Sequence, residues 1–531
     1  MDLAQVQGQG WVDFPGVAMG CQKANKEEPS KDFGAHLPAV DWNVQPRLPF
    51  TRHFIAAPRH EQPTAVAWRQ ALGISIEDKG PLHIVPAPIA QFEELGVLPA
   101  YVLEALRKCG ITAPLPIQSQ ALPLVLSGCD VVGIAQTGSG KTLAFLLPAI
   151  VHIEAQQPIP RGCIQPIALI LAPTRELAVQ IVEEAWKVLR GSKSGRHSNG
   201  VWATAVYGGG KKHQQLRELQ YGSEIVAATP GRLIDFLTQQ SMSLDRVTYL
   251  VLDEADRMLE QGFAEDVANI SGQVRPERQV LFFSATWSSE VQMLASGLCH
   301  RSSRPVRISV GQERGSCLDT APHARDSIVQ QVVVVDFPDD YEQQVAEKRR
   351  LLDGHLQEVL WSSQDHKVLV FVSQKQYADE LANKLWEGGF KAAAMHGGKS
   401  QESRLWTLDQ FRKGEFRLLV ATDVIGRGID IPSVSHVVVF DMGTIDDYVH
   451  RIGRTARGKD GKGHALVFFE YWHKEPGIAD DLCQLLMASG QPVPEDLKRI
   501  AGEVAAGRRQ VFNKPRWHGR KWGGEGYLKD S

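Results

Sequence analysis

The sequence predicts an α/β protein of two tandem domains, each a parallel sheet flanked by helices, with flexible N- and C-terminal extensions. Three observations predict it. Short β-rich runs alternate with helix-length segments along most of the chain, the pattern of parallel strands covered on both faces. The alternation breaks once and then resumes in the same style. At 531 residues with 43% hydrophobic content, the chain exceeds what one core usually organises.

In order, residues 1–84 show little periodicity and read as a largely disordered N-terminal extension, with Thr64–Ile74 (TAVAWRQALGI) as a candidate short helix. Residues 85–310 form the first domain, with strands expected in VVGIA, IALILAP, TAVYGG, EIVAATP, YLVLDEAD and VLFFSAT. Residues 311–326 break the pattern and read as the interdomain linker. Residues 327–476 form the second domain, with strands in IVQQVVVVDF, KVLVFVS, AAAMHG, FRLLVATDV, HVVVFD and HALVFF. Residues 477–531 form a C-terminal extension of different composition. No short repeat period is present, so the duplication is architectural.

A net charge of −3 and a pI near 6.6 exclude a protein that coats nucleic acid by bulk charge. Any such binding has to come from a local surface. Seven cysteines are scattered without a C-x-x-C pair, which fits a reducing, intracellular compartment and gives no metal-ligand framework. The first residues lack a basic-then-apolar signal pattern, and no apolar run approaches the roughly 18 residues of a membrane span. A soluble, non-secreted protein is the expectation.

The chemistry begins with AQTGSGKT, Ala135–Thr142, which follows the strand VVGIA and precedes a helix-like apolar run. Small residues there (Ala135, Gln136, Thr137, Gly138, Ser139, Gly140) let backbone N–H groups wrap phosphates. Lys141 reaches the β- and γ-phosphates of ATP, and Thr142 ligates Mg²⁺. The strand-then-helix setting separates this motif from an ordinary Gly-rich turn. About 110 residues later, VLDEAD ends a strand on carboxylates. At the carboxyl edge of a sheet, Asp253 is placed to hold Mg²⁺ and Glu254 to orient or deprotonate the attacking water. Alone, the same residues read as an acidic helix start; the phosphate loop decides between the two.

Asp253–Asp256 (DEAD) joined with AQTGSGKT resembles the DEAD-box ATP-dependent RNA helicases of helicase superfamily two, over about Phe92 to Phe469. With SATW at Ser284–Trp287, the sequence is most similar to the branch that remodels ribosomal precursors and messenger RNP particles. The resemblance implies two RecA-like domains and the following roles. APLPIQ contains Gln118, which reads the adenine edge, and Phe92 is the isolated upstream aromatic of that motif. Ser284 and Thr286 couple to Asp256. PTRELA (Pro173, Thr174, Arg175), YGG (Gly208, Gly209) and TPGR (Thr229, Pro230, Gly231, Arg232) face RNA, and so do Gln401, Arg404 and Thr422. Asp423, Arg427 and His450 link the two sites, Asp430 belongs to the nucleotide site, and Arg454 and Arg457 act as arginine fingers. Helix N-termini, hydroxyls and Gly amides suit a phosphate backbone and read no bases.

Three positions depart from the family pattern: Ile111 where an aromatic usually stacks on adenine, Gly426 where Ala or Ser is usual, and Gly443 where Pro is expected. The implied activity is RNA-stimulated ATP hydrolysis coupled to duplex unwinding or RNP remodelling by a monomer, with little sequence specificity. An ATP-gated RNA clamp or scaffold uses the same closed state and is the alternative; a DNA-directed helicase fits the motif set less well. The branch it resembles points to the nucleus or nucleolus. The tail Arg508–Gly524 carries Arg508, Arg509, Lys514, Arg516, Arg520 and Lys521 among Phe512, Trp517 and Trp522 with no acidic residue. That is the recipe of a sequence-tolerant single-strand binder, and equally of a plain tail or a protein-docking peptide.

Overall fold

A computed structural model describes residues 37–45, 49–56, 63–82, 84–136, 138–160, 162–299, 304–311, 327–337, 340–423, 434–456, 463–472 and 475–509. The first domain holds a sheet of β1 (Ile74–Asp78), β2 (Val131–Ile134), β3 (Ala168–Leu171), β4 (Ala203–Val206), β5 (Ile225–Ala228), β6 (Tyr249–Asp253), β7 (Gln279–Ser284) and β8 (Val306–Val310). Its strand order is β1-β8-β2-β7-β6-β3-β5-β4, parallel except where β1 pairs antiparallel with β8. The helices are α1 (Pro63–Ala71), α2 (Ala100–Lys108), α3 (Pro116–Leu126), α4 (Lys141–Glu154), α5 (Arg175–Leu189), α6 (Lys212–Gln220), α7 (Pro230–Thr238), α8 (Ala255–Glu260), α9 (Ala264–Gly272) and α10 (Ser289–Leu298).

Continuous apolar strands form here because both sheet faces are covered. Ala168, Ile170, Val251 and Leu281 point to the core shared with α3, α4 and α5. Leu169, Leu171, Leu252 and Phe282 point to the core shared with α7, α9 and α10. The period of two along each strand sorts neighbours to opposite faces. Gly133 in β2 permits the close packing of Phe283, whose ring atoms a Cβ would meet at 2.7 Å.

The second domain holds β9 (Ile328–Val334), β10 (Val368–Phe371), β11 (Ala392–Met395), β12 (Leu418–Ala421), β13 (His436–Val439) and β14 (Gly463–Phe469), all parallel, in the order β11-β12-β10-β13-β14-β9. Its helices are α11 (Tyr341–Ser362), α12 (Lys375–Glu387), α13 (Gln401–Lys413), α14 (Ile445–Ile452), α15 (Ile478–Ala488) and α16 (Glu495–Ala505). Every strand expected from the sequence is present.

The described parts of both extensions are packed against the domains. The candidate helix at 64–74 is α1, and residues 74–78, assigned to the N-terminal extension, are β1 of the first sheet. Phe54 and Ile55 donate backbone hydrogen bonds to the Leu126 carbonyl at 2.7 and 3.1 Å. The Trp42 indole donates to the Gly272 carbonyl at 3.1 Å beneath the Arg275 guanidinium. At the other end, Leu482, Leu486, Leu497 and Ile500 of α15 and α16 are buried in the second domain's core. Their apolar stripes need that sheet to cover them.

Candidate functional site

In both sheets the parallel strands run to one edge, and the motif residues leave from it. The phosphate loop follows β2, the acidic motif ends β6 and the Ser284 motif ends β7. Gly138 and Gly140 adopt positive φ of 76° and 88°, the left-handed backbone that glycine allows without steric cost. Lys141 begins α4 and is buried, its Nζ donating to the Ala135 carbonyl at 2.6 Å. Burial lowers its pKa, opposed by the carboxylates of Asp253, Glu254 and Asp256, and Arg454 of the second domain lowers it further. Five candidate groups from both domains therefore share one electrostatic site.

Asp253 is 3% exposed. Burial pushes its carboxyl up to about 7, against the pull of Lys141. Glu254 stands in the left-handed region at φ 54°, costly for a residue that carries a Cβ and frequent at active sites. Its backbone N–H donates to Asp253 Oδ1 at 3.1 Å. Asp256 is fully engaged. Its Oδ2 accepts from Ala285 N, Thr286 N and Thr286 Oγ1, each at 3.1 Å, and its Oδ1 accepts from Arg257 N at 2.9 Å. The Ser284 hydroxyl accepts from Asp256 N at 3.4 Å. Ser139 Oγ is buried without a hydrogen-bond partner, a polar atom of the loop suited to a phosphate oxygen.

Gln118 is buried and bridges two elements. Its Oε1 accepts from Leu115 N and its Nε2 donates to the Gly140 carbonyl, both at 2.9 Å. The amide thus ties the start of α3 to the phosphate loop. Phe92 is 2% exposed, in the core against which Ile111 packs.

In the second domain Arg454 is 1% exposed and its Nε donates to the His450 carbonyl at 3.2 Å. Between them in sequence, Arg451 grips both oxygens of Asp423 at 2.7 and 2.8 Å and donates to the Asp441 carbonyl at 2.6 Å. Motif reading singled out Asp423 and passed over Arg451, whose signal is a guanidinium between two already chosen positions. Gly443 is tightly placed, since a Cβ there would meet Asp447 Oδ2 at 2.9 Å.

The residues expected to face RNA also converge. Thr174 caps α5, its Oγ1 accepting from Leu177 N at 3.3 Å. The Arg175 guanidinium lies against Gly209, at φ 78°, leaving no room for a side chain. Arg232 donates to the Gly210 carbonyl at 3.4 Å and to Gln215 at 3.3 Å, so it braces the Gly208–Gly210 turn. Thr229 and Pro230 are buried, while Gly231 opens to free space. Across the cleft, Arg404 forms an ion pair with Glu176 of α5. Arg404 Nε and Thr422 Oγ1 are buried without hydrogen-bond partners.

Thr137, Arg427, Asp430, Arg457, Gly426 and the side chain of Gln401 lie outside the described residues, as does the tail from residue 510 onward. Arg509, counted above as a nucleic-acid contact, is committed elsewhere. It pairs with Asp336 at 2.7 Å and Glu503 at 2.8 Å and lies over the Tyr471 ring, anchoring the chain to the second domain.

Among the described residues no cluster of His, Cys, Asp and Glu forms a metal-binding group, and no helix is long and apolar enough to cross a membrane. Residues 115–294 match the DEAD/DEAH box helicase family and residues 348–459 the helicase conserved C-terminal domain. The ATP-dependent RNA helicase DBP2 of Candida albicans is 44% identical over 467 residues, covering 87% of this chain and 77% of that protein. DEAD-box ATP-dependent RNA helicase 20 of Arabidopsis thaliana is 39% identical over 481 residues, covering 88% of each. Among solved structures, Mss116p bound to single-stranded RNA and AMP-PNP superposes with a TM-score of 0.63 at 28% identity, over 78% of this chain and 82% of that one. Dbp5 of S. cerevisiae bound to RNA and ADP BeF3 gives a TM-score of 0.60 at 26% identity, over 79% of this chain and 99% of that one.

Proposed function

Because this chain belongs to the DEAD-box ATP-dependent RNA helicases, enzymes that couple ATP hydrolysis to RNA unwinding, we propose that its ATPase is assembled from both domains and switched by their closure. The observation that carries the reading is the buried ion pair of Arg404 in the second domain with Glu176 in the first, beside which Arg454 stands near enough to Lys141 to lower its pKa. The loop 135–142 and Lys141 hold the β- and γ-phosphates, while Gln118 sets the loop against α3 and reads the adenine edge. Glu254 orients the attacking water and takes its proton on the carboxylate. Arg454, with Arg457, neutralises the charge that develops on the transferred phosphoryl group. Thr142 and Asp253 would hold Mg²⁺, which supplies further charge neutralisation when bound; a carboxylate and a hydroxyl are the hard oxygen donors such a cation takes.

Coupling runs through two hydrogen-bonded joints. Asp256 ties the acidic motif to Ala285 and Thr286, and the Arg451 grip on Asp423 ties the arginine-finger helix to the loop that carries Thr422. RNA lies on Thr174, Arg175, Gly208, Gly209, Gly231, Gln401, Arg404 and Thr422, held by backbone and sugar, with 2′-OH contacts selecting RNA over DNA. By its resemblance to the branch that remodels ribosomal precursors and messenger RNPs, we place it in the nucleus or nucleolus; a fluorescent fusion checks the location.

The deciding experiment is steady-state ATP hydrolysis with and without single-stranded RNA, comparing wild type with Glu254→Gln. Strong RNA stimulation, lost in the variant, is expected. Turnover that RNA leaves unchanged overturns the composite-site reading.

A further inference from the structure

Away from the cleft, Trp186–Trp202 reads WKVLRGSKSGRHSNGVW and contains Lys187, Arg190, Lys193 and Arg196 with no acidic residue. The segment joins the C-terminal end of α5 to the N-terminal end of β4, the outermost strand of the first sheet. It therefore lies at the sheet edge opposite the phosphate loop. The fifteen residues of α5 separate it from Arg175 by about 22 Å at 1.5 Å per residue.

Lys187 is paired with Glu184. Arg190, Lys193 and Arg196 are exposed, and none of their side chains has an ion-pair partner among the described residues. Beside them stands an aromatic platform. Trp186 and Trp202 meet edge to face at 5.1 Å, and Trp202 stacks with Tyr221 at 6.3 Å and 23°. The Trp202 indole donates to the Asn199 carbonyl at 3.1 Å and its backbone N–H to buried Glu224 at 2.7 Å, so the ring is fixed before anything binds. Tyr221 is 67% exposed. A rigid ring loses little conformational freedom on stacking. Cations without internal partners favour a polyanion over a neutral apolar partner.

We propose that this edge is a second single-stranded RNA surface, in which Tyr221 and Trp202 stack unpaired bases and Arg190, Lys193 and Arg196 hold the neighbouring phosphates. It rests on the RNA activity of the family and is separate from the cleft. A strand that reaches both surfaces stays attached when the cleft opens, so the enzyme keeps its RNA between ATP cycles.

The test uses the full chain, with affinity measured for a long polyuridylate and for a short oligouridylate that fills only the cleft. Arg190→Glu/Lys193→Glu/Arg196→Glu is expected to weaken the long strand alone. It should also flatten the log–log salt dependence by about 2, since each phosphate contact on single-stranded RNA contributes roughly 0.7. Tyr221→Ala, which leaves charge intact, is expected to weaken the long strand about tenfold. Both variants should keep wild-type ATP turnover with the short strand. Unchanged affinity for the long strand overturns the proposal and leaves the edge to an acidic protein partner. An equal loss on both strands also overturns it, because the effect then belongs to the cleft or to folding.

Discussion

Arg404 of the second domain and Glu176 of the first form an ion pair across the cleft, with side chains only 6% and 3% exposed. Such a pair holds α5 and α13 together, and a more exposed contact between Arg412 and Glu183 at 3.8 Å runs beside it on the same two helices. Removing one partner strands the other charge where water reaches it poorly, at a cost of about 3 kcal/mol or more. Glu176→Gln and Arg404→Gln are each expected to lower RNA-stimulated turnover by about tenfold or more, while the double variant is no worse than either single one. Additive losses would mean that the two residues act independently and that closure does not pass through their pair.

The joint at Asp256 predicts a different outcome. Both carboxylate oxygens accept hydrogen bonds, one from Arg257 N and the other from Ala285 and Thr286. In Asp256→Asn, whichever way the amide turns, its NH₂ faces a backbone donor. About 2 kcal/mol of first-domain stability is expected to be lost, and RNA stimulation of ATP hydrolysis with it. Thermal unfolding gives the first quantity and the ratio of turnover with and without RNA gives the second.

These two contacts show what the sequence made legible and what it did not. The twelve strands named in advance were readable because parallel strands buried on both faces are continuous apolar runs, as in VLVF at 368–371. Strand β1, ISIED, was not: two of its five residues are acidic and only Ile74 is buried, so it makes no apolar run and pairs with a partner more than 200 residues away. The candidate ATP-side residues are readable because they lie in short contiguous words. Arg451 on Asp423, 28 residues apart, depends on how the second domain folds, and Arg404 on Glu176 on where that domain sits against the first; no local spacing carries either. Phe92 is a motif position whose side chain is packed in the first domain's core.

Gly140 couples two motifs sterically. Its φ is 88°, and a Cβ would meet Gln118 Nε2 at 2.5 Å and Leu115 Cδ1 at 2.7 Å. Gly140→Ala therefore combines a left-handed backbone penalty of about 1–2 kcal/mol with displacement of the amide that bonds the Gly140 carbonyl. The KM for ATP should rise about tenfold or more, and affinity for single-stranded RNA without nucleotide should stay at the wild-type level. A normal KM would show that Gln118 can leave the loop without consequence.

Two buried histidines contribute to the response to acid. His152 is 1% exposed with its Nε2 within 2.7 Å of Thr248 Oγ1, and burial lowers its pKa from 6.5 to about 3. His436 is lowered to about 3 as well, first by burial and then by the charges of His355, His464 and His366, whose rings surround it at 4.9–5.5 Å. Each is neutral in the fold and protonates near 6.5 when unfolded. Between about pH 3 and 6.5 each histidine binds more protons in the unfolded chain, so its contribution to stability rises with pH across that window and falls on acidification, while Asp253, raised to about 7, contributes the opposite slope. At about pH 5.5 the loss relative to neutral pH is roughly 1.4 kcal/mol for each histidine. Urea unfolding of wild type and His152→Gln at the two pH values should show the variant's first-domain transition losing about 1.4 kcal/mol less than wild type. Equal pH dependence in the two proteins would mean that His152 is not held neutral, and the acid sensitivity would then have to come from other groups.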